Sequence, residues 1–235
     1  MLIFLDLETT GVSESDKIVS VALLYEDSYL YNIVNEGKKI PPSASSVHHI
    51  TNEMRKSAAP FSRSEVYDFL KSHNSQNTLL VVHNASFIRA FLSQAGVYWE
   101  GEMIDTERAS KHLIEDCETY SLQYLRYELR LYKEEQAALE HYGIKDAIVA
   151  HNALSDAVVI SLLYQQLLEL ATPDEILIMS SKNVLLQKLP FGKYAGKYIE
   201  EVCFSDRAYI LWLLNNATDI DQDLKYSINY YLEGM

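Results

Sequence analysis

The sequence predicts an α/β fold with a mixed sheet, followed by a small, mainly helical module. Three observations predict it. Three short apolar runs, rich in β-branched and aromatic residues, come first and close together. Strand-like and helical patterns then alternate as far as a long apolar helix that stops before Pro173. Beyond that proline the composition changes, which marks a second part of the chain.

Leu2–Leu7 is an apolar run with strand character. Ile18–Leu24 and Tyr29–Val34 repeat it, parted by the turn-prone Glu26-Asp27-Ser28. Three such runs in succession read as an antiparallel meander. Pro41–Ser46 reads as a loop. Val66, Phe69 and Leu70 give residues 63–72 a helical spacing, and Thr78–Val82 is a buried strand candidate. The spacing predicts a helix over 85–96, with Asn84 as N-cap and Gly96 as its stop. Leu122, Leu125 and Leu129 make residues 121–131 an amphipathic helix, and 152–170 is the longest helical pattern in the chain. These elements define a domain over residues 1–172, a linker over 173–184 and a module over 185–235. The module opens with a hairpin-like stretch at Pro190-Phe191-Gly192-Lys193 and continues with two short helices, near 206–214 and 221–232.

There are 20 Lys and Arg against 33 Asp and Glu, a net charge of −13. Such acidity argues against a protein that grips nucleic acid through a broad basic surface. It leaves room for an enzyme that meets phosphates through bound cations, which need clustered carboxylates. The charge is uneven. Residues 1–175 carry 26 acids and 14 bases, whereas residues 176–235 carry 7 and 6. Between Ile176 and Ile199 there are four lysines and no acid. Nothing approaches the roughly 18 apolar residues of a membrane span, and the opening run reads as a strand and not a signal peptide. The two cysteines, Cys117 and Cys203, lie far apart without ligand-like spacing, so neither a disulfide framework nor a zinc ribbon is expected. A cytoplasmic location is expected on that ground.

Asp6 and Glu8 alternate with Leu7 at the end of the first strand and point to one face. Two acids side by side at a strand end attract a cation, although a lone pair of this kind also fits a solvated end. His151 and Asp156 open the long helix. Five residues of helix would put their side chains roughly 140° apart, so they converge only if His151 precedes the helix. A histidine at a loop edge beside a carboxylate suits a general base, and a helix-start histidine with a surface acid fits as well.

The blocks Asp6-Leu7-Glu8-Thr9-Thr10-Gly11, Val47-His48-His49-Ile50-Thr51, His83-Asn84-Ala85-Ser86-Phe87, Ile104-Asp105-Thr106 and His151-x4-Asp156-Ala157 occur in that order. Together they resemble the DEDDh family of 3′–5′ exonucleases over about residues 1–170. The resemblance implies an RNase H-like fold, with Mg²⁺ or Mn²⁺ held by Asp6, Glu8 and Asp156 and with His151 as the general base. It implies that Thr10, Gly11, His48, Asn84 and Phe87 border the substrate. It also implies release of nucleoside 5′-monophosphates from single-stranded or 3′-ended nucleic acid, with DNA favoured and a DNA polymerase or repair protein as partner. One block departs from the family pattern. The residue after Phe87, an acid in the family, is Ile88 here. That predicts impaired activity and a weakened second metal, and it keeps open a non-catalytic nucleic-acid-binding or polymerase-accessory role on the same fold. His49 is a smaller departure, at a position commonly glycine. Leu189–Lys197 and Asp206–Leu214 resemble the C-terminal module of exodeoxyribonuclease X-like proteins. There Lys193 and Lys197 are candidate phosphate contacts, and Trp212 is expected in the module's core.

Overall fold

A computed structural model describes residues 1–115, 117–217 and 220–234. The elements are β1 (Leu2–Thr9), β2 (Ile18–Tyr25), β3 (Ser28–Ile33), α1 (Pro42–His48), α2 (Glu65–His73), β4 (Leu79–Val82), α3 (Ala85–Gln94), β5 (Met103–Asp105) and α4 (Thr106–Leu113). They continue with α5 (Leu122–Glu128), α6 (Glu135–Tyr142), α7 (Ala153–Leu168), α8 (Pro173–Ser181), α9 (Ile199–Ser205), α10 (Arg207–Asn216) and α11 (Gln222–Glu233). The chain forms two compact units, Met1–Ser180 and Ser181–Met235. Among the described residues no single helix is long and apolar enough to cross a bilayer.

The first unit is built on one sheet of order β3-β2-β1-β4-β5. β1, β2 and β3 pair antiparallel, as the meander predicts, and β4 runs parallel to both β1 and β5. Alternate residues of the strands serve two apolar layers. Phe4, Ala22, Leu24 and Val81 pack with Val158, Val159 and Leu163 of α7. Ile3, Leu5, Leu7, Val21 and Leu23 pack with Val66 and Leu70 of α2 and with Ile88, Phe91 and Leu92 of α3. Both faces of β1 and β2 are therefore covered. α7 is buried nearly all round, from Ala153 to Ser161 without a break, which explains its uniformly apolar sequence.

Three parts of the fold depart from the sequence reading. The expected loop after Pro41 is helix α1, with Pro42 in its first turn, where a missing N–H is not needed. It ends at His49, which adopts a left-handed φ of 61° and donates its N–H to the Ser45 carbonyl. Glycine takes that conformation most easily, and here a histidine takes it. The expected linker over 173–184 contains α8, again with proline at its start and with Ile176 fully buried. In addition, β5, α4, α6 and α9 form where no element was expected.

The second unit has its own core of Leu189, Ile199, Val202, Ile210, Leu213, Ile220, Leu224 and Ile228. The two expected helices are α10 and α11. The carboxylate of Asp206 accepts from Tyr209 N–H, and that of Asp221 accepts from Leu224 N–H, so each caps its helix. Trp212 is not in this core. It is 55% exposed, because Leu213 and Ile210 take the inward face of α10.

Candidate active site

The site lies where β1 outruns its neighbour. β1 and β4 pair only through Leu2, Ile3 and Phe4, so the chain from Asp6 onward has no parallel partner on that side. Asp6 and Glu8 project from this free end onto the face covered by α7. The register with β2 shifts between Glu8 and Thr9. A bulge at this point re-aims the end of the strand, a common device beside functional sites.

α7 supplies the other half. Asn152 is its N-cap, with a side-chain oxygen that accepts from Leu154 and Ser155 N–H. His151 therefore precedes the helix, exposed and in a left-handed conformation with φ of 57°. Asp156 lies one turn in, 5% exposed. The structure brings Glu8, His151 and Asp156 together: their potential ligand atoms all lie within 4.8 Å of one another. Asp6 adjoins this group closely enough to feel the charge of both Glu8 and Asp156.

Burial dominates the electrostatics. It pushes the Glu8 carboxyl up to about 8 and the Asp156 carboxyl up to about 7, and Asp6 rises well above the usual carboxylate range. For Glu8 and Asp6 the neighbouring carboxylates add to the rise. Three acids crowded in a half-dry pocket are poised to share a cation.

Two residues of this group were not evident in the sequence. Gln123 on α5 donates through Nε2 to Asp156 Oδ1 at 2.6 Å. Arg126, one turn on, donates to Gln123 Oε1 at 3.2 Å and forms a two-point ion pair with Glu135, at 2.5 and 2.9 Å. The chain Glu135–Arg126–Gln123–Asp156 fixes which way the Asp156 carboxylate points. Its members are 33 residues apart at the extremes of the critical contact, and no local spacing signals it.

A family model described as an exonuclease, RNase_T, matches residues 3–164. The chain belongs to this exonuclease family. Exodeoxyribonuclease 10 of Escherichia coli strain K12 is 27% identical over 241 residues, covering 100% of both chains. A structure of Exonuclease X in complex with 5′-overhanging duplex DNA superposes with a TM-score of 0.58 at 22% identity, covering 77% of this chain and 100% of that one. The nuclease domain of 3′hExo, a DEDDh family member bound to rAMP, gives a TM-score of 0.52 at 13% identity, covering 72% of this chain and 91% of that one. The mixed sheet and its helices are the RNase H-like exonuclease fold.

Around the acids of this exonuclease domain, the loop after β1 is tightly braced. Thr10 donates through its hydroxyl to Asp16 Oδ1 at 2.7 Å, and Ser13 donates to Asp16 Oδ2 from both backbone and side chain, at 2.9 and 2.7 Å. Lys38 lies 2.8 Å from the same carboxylate and, with these donors, holds Asp16 well below the usual range. A Cβ on Gly11 would fall 2.6 Å from Asp16 Oδ2, so any larger residue there must displace this carboxylate. His48 is 4% exposed, and its Nδ1 accepts from Ile50 N–H at 3.0 Å. Burial lowers its pKa. Asn84 adopts a left-handed φ of 67° and caps α3 by accepting from Phe87 N–H. The Phe87 ring is half-buried, 4.7 Å from that of Phe91.

Ile88 is 1% exposed and packs in the apolar layer with Leu7, Val82 and Phe91. Asp105 does not replace the missing acid. It is 4% exposed, and its carboxylate accepts from the N–H groups of Asn84, Ala85, Glu107 and Arg108. It is a shared cap for α3 and α4. Asp105→Ala should cost roughly 3 kcal/mol in a urea melt, since it strands several helix-terminal donors at once. A loss under about 1 kcal/mol would contradict that bracing role. In the second unit, Lys197 is exposed, and Lys193 lies 3.1 Å from Asp206.

Proposed function

We propose that the protein is a metal-dependent 3′–5′ exonuclease that releases nucleoside 5′-monophosphates from DNA. The convergence of Glu8, His151 and Asp156, with Asp6 beside them, carries this reading. The donor set fits a hard divalent cation: carboxylate oxygens crowded together, whose shared burial disfavours their charged forms until a cation compensates them. Asp6, Glu8 and Asp156 would hold Mg²⁺ or Mn²⁺. When bound, such an ion activates water and neutralises charge on the phosphate.

The chain's own residues do the rest. His151, exposed at the mouth of the site, accepts the proton of the attacking water. The new P–O bond forms as the bond to the 3′ oxygen breaks, and that oxygen is protonated from solvent. Gln123 holds Asp156 in place. Thr10, Gly11, His48, Asn84 and Phe87 border the terminal nucleotide. The relative solved with duplex DNA supports DNA as the polymer.

The second reading, a binding protein without catalysis, is favoured by Ile88. Cleavage of a 3′-labelled single strand in Mn²⁺ separates the two. The parent should release labelled mononucleotide stepwise. Ile88→Asp should raise the rate at least about tenfold, with the larger effect in Mg²⁺. The same variant should be less stable without metal, since it buries a carboxylate among apolar side chains, and should regain stability with it. If neither protein cleaves although both fold and bind Mn²⁺, the binding reading is correct.

A further inference from the structure

The second unit carries an aromatic surface that catalysis does not use. The Trp212 ring is stacked on Tyr209, with centroids 6.1 Å apart and planes 27° from parallel. Tyr194 meets Tyr209 edge-on at 5.1 Å. These rings are held firmly. Tyr194 donates through its hydroxyl to Asp206 at 2.9 Å, and Lys193 N–H donates to the Tyr209 oxygen at 3.3 Å. Gly192 passes so close that a Cβ there would lie 2.4 Å from that oxygen.

Cations are laid among the rings. The Lys193 ammonium sits 4.7 Å from the centre of Tyr194, and the Lys188 ammonium 5.1 Å from that of the exposed Tyr198. Lys197 belongs to the same small hairpin, in which Leu189 N–H donates to the Lys197 carbonyl and Lys188 bridges to Tyr198. Asp206 pairs with Lys193 and keeps it over the rings.

We propose that this surface is a stacking platform for single-stranded DNA. Trp212 and Tyr209 take the face of an unpaired base, and Lys193 and Lys197 meet the adjoining phosphates. The exposed Trp212 ring on the half-buried Tyr209, interleaved with ammonium groups, matches the alternation of bases and phosphates along a single strand. The charge distribution favours a strand over an acid-seeking or apolar protein partner. The segment from Ile176 to Ile199 has four lysines and no acid, and residues 176–235 are near balance with 6 bases against 7 acids, whereas residues 1–175 carry 26 acids against 14 bases and offer a polyanion little general attraction. The choice of polymer rests on the nuclease reading, and the geometry does not.

The chain has two tryptophans, and the other, Trp99, is only 7% exposed, so an exposed-indole fluorescence signal reports on Trp212. The full chain is titrated in EDTA with an oligo(dT) strand of about 20 nucleotides, long enough to span such a platform. Binding is followed in parallel by anisotropy of a labelled strand. Fluorescence should be quenched on binding, and the quench should vanish in Trp212→Phe. Trp212→Ala should weaken binding about tenfold. The double variant Lys193→Ala, Lys197→Ala should flatten the salt dependence by about 0.7 per lysine. A strand that binds without quenching the parent overturns the platform, even if Trp212→Ala fails to fold. So does an unchanged affinity in a folded Trp212→Ala. Cleavage in Mn²⁺ without any quench sinks the platform and leaves the nuclease standing. A quench without cleavage does the reverse.

Discussion

Glu8→Gln is expected to lose on the order of 10²–10³-fold in metal-dependent cleavage while making the metal-free protein more stable above neutral pH. The gain follows from the sign of the titration. Glu8 ionises at about 8 in the native chain, against an ordinary value of 4.5, and Asp156 at about 7, against 3.8. Between about pH 5 and 8 the native chain therefore holds protons that the unfolded chain has released, so stability falls as pH rises. Below about pH 4 both states are protonated and the penalty vanishes. The metal-free parent should lose several kcal/mol, a fall of at least about 6 °C in Tm, between pH 5 and 8.5. Mn²⁺ should flatten that dependence, and Glu8→Gln should remove part of it. Thermal melts in EDTA and in Mn²⁺ at the two pH values suffice. A flat Tm in EDTA would show that the three carboxylates are not crowded as described.

His151→Gln is expected to lower kcat by about 10²–10⁴-fold with KM for the strand nearly unchanged. The same variant should bind Mn²⁺ within about threefold of the parent, because a proton acceptor contributes to turnover and not to holding the ion. The distinction matters, since the His151 ring lies within ligand reach of Glu8 and Asp156. Titration of Mn²⁺ by its paramagnetic signal, alongside single-turnover cleavage, measures both quantities. If affinity and rate fall together by the same factor, His151 is a metal ligand and another group takes the proton.

What the sequence reveals here, and what it hides, follows the range of the interactions. β1, β2 and β3 were legible because each is a run of apolar residues broken by turn formers. α7 was legible because its apolar run is long and Asn152 caps it. That His151 must precede the helix for it to meet Asp156 came from helix geometry alone. β5 is only three residues, too short for any periodicity, and it exists because β4 offers it an edge. α1 was hidden because serines and prolines are written alike in loops and in first turns. Gln123 was invisible because its partner is 33 residues away. Trp212 was misplaced because size alone suggests burial, whereas the inward stripe of α10 was already filled.

The shared cap at Asp105 has a kinetic consequence. One carboxylate accepts amide hydrogens from Asn84 and Ala85 and, some twenty residues later, from Glu107 and Arg108. Neither helix can fray at its first turn without loosening the grip on the other. The beginnings of α3 and α4 thus form one opening unit, and their protection against solvent exchange should be lost together. Deuterium uptake at these four amides should share a single opening rate in the native protein. The Asn84–Phe87 segment would then move only when the start of α4 moves with it.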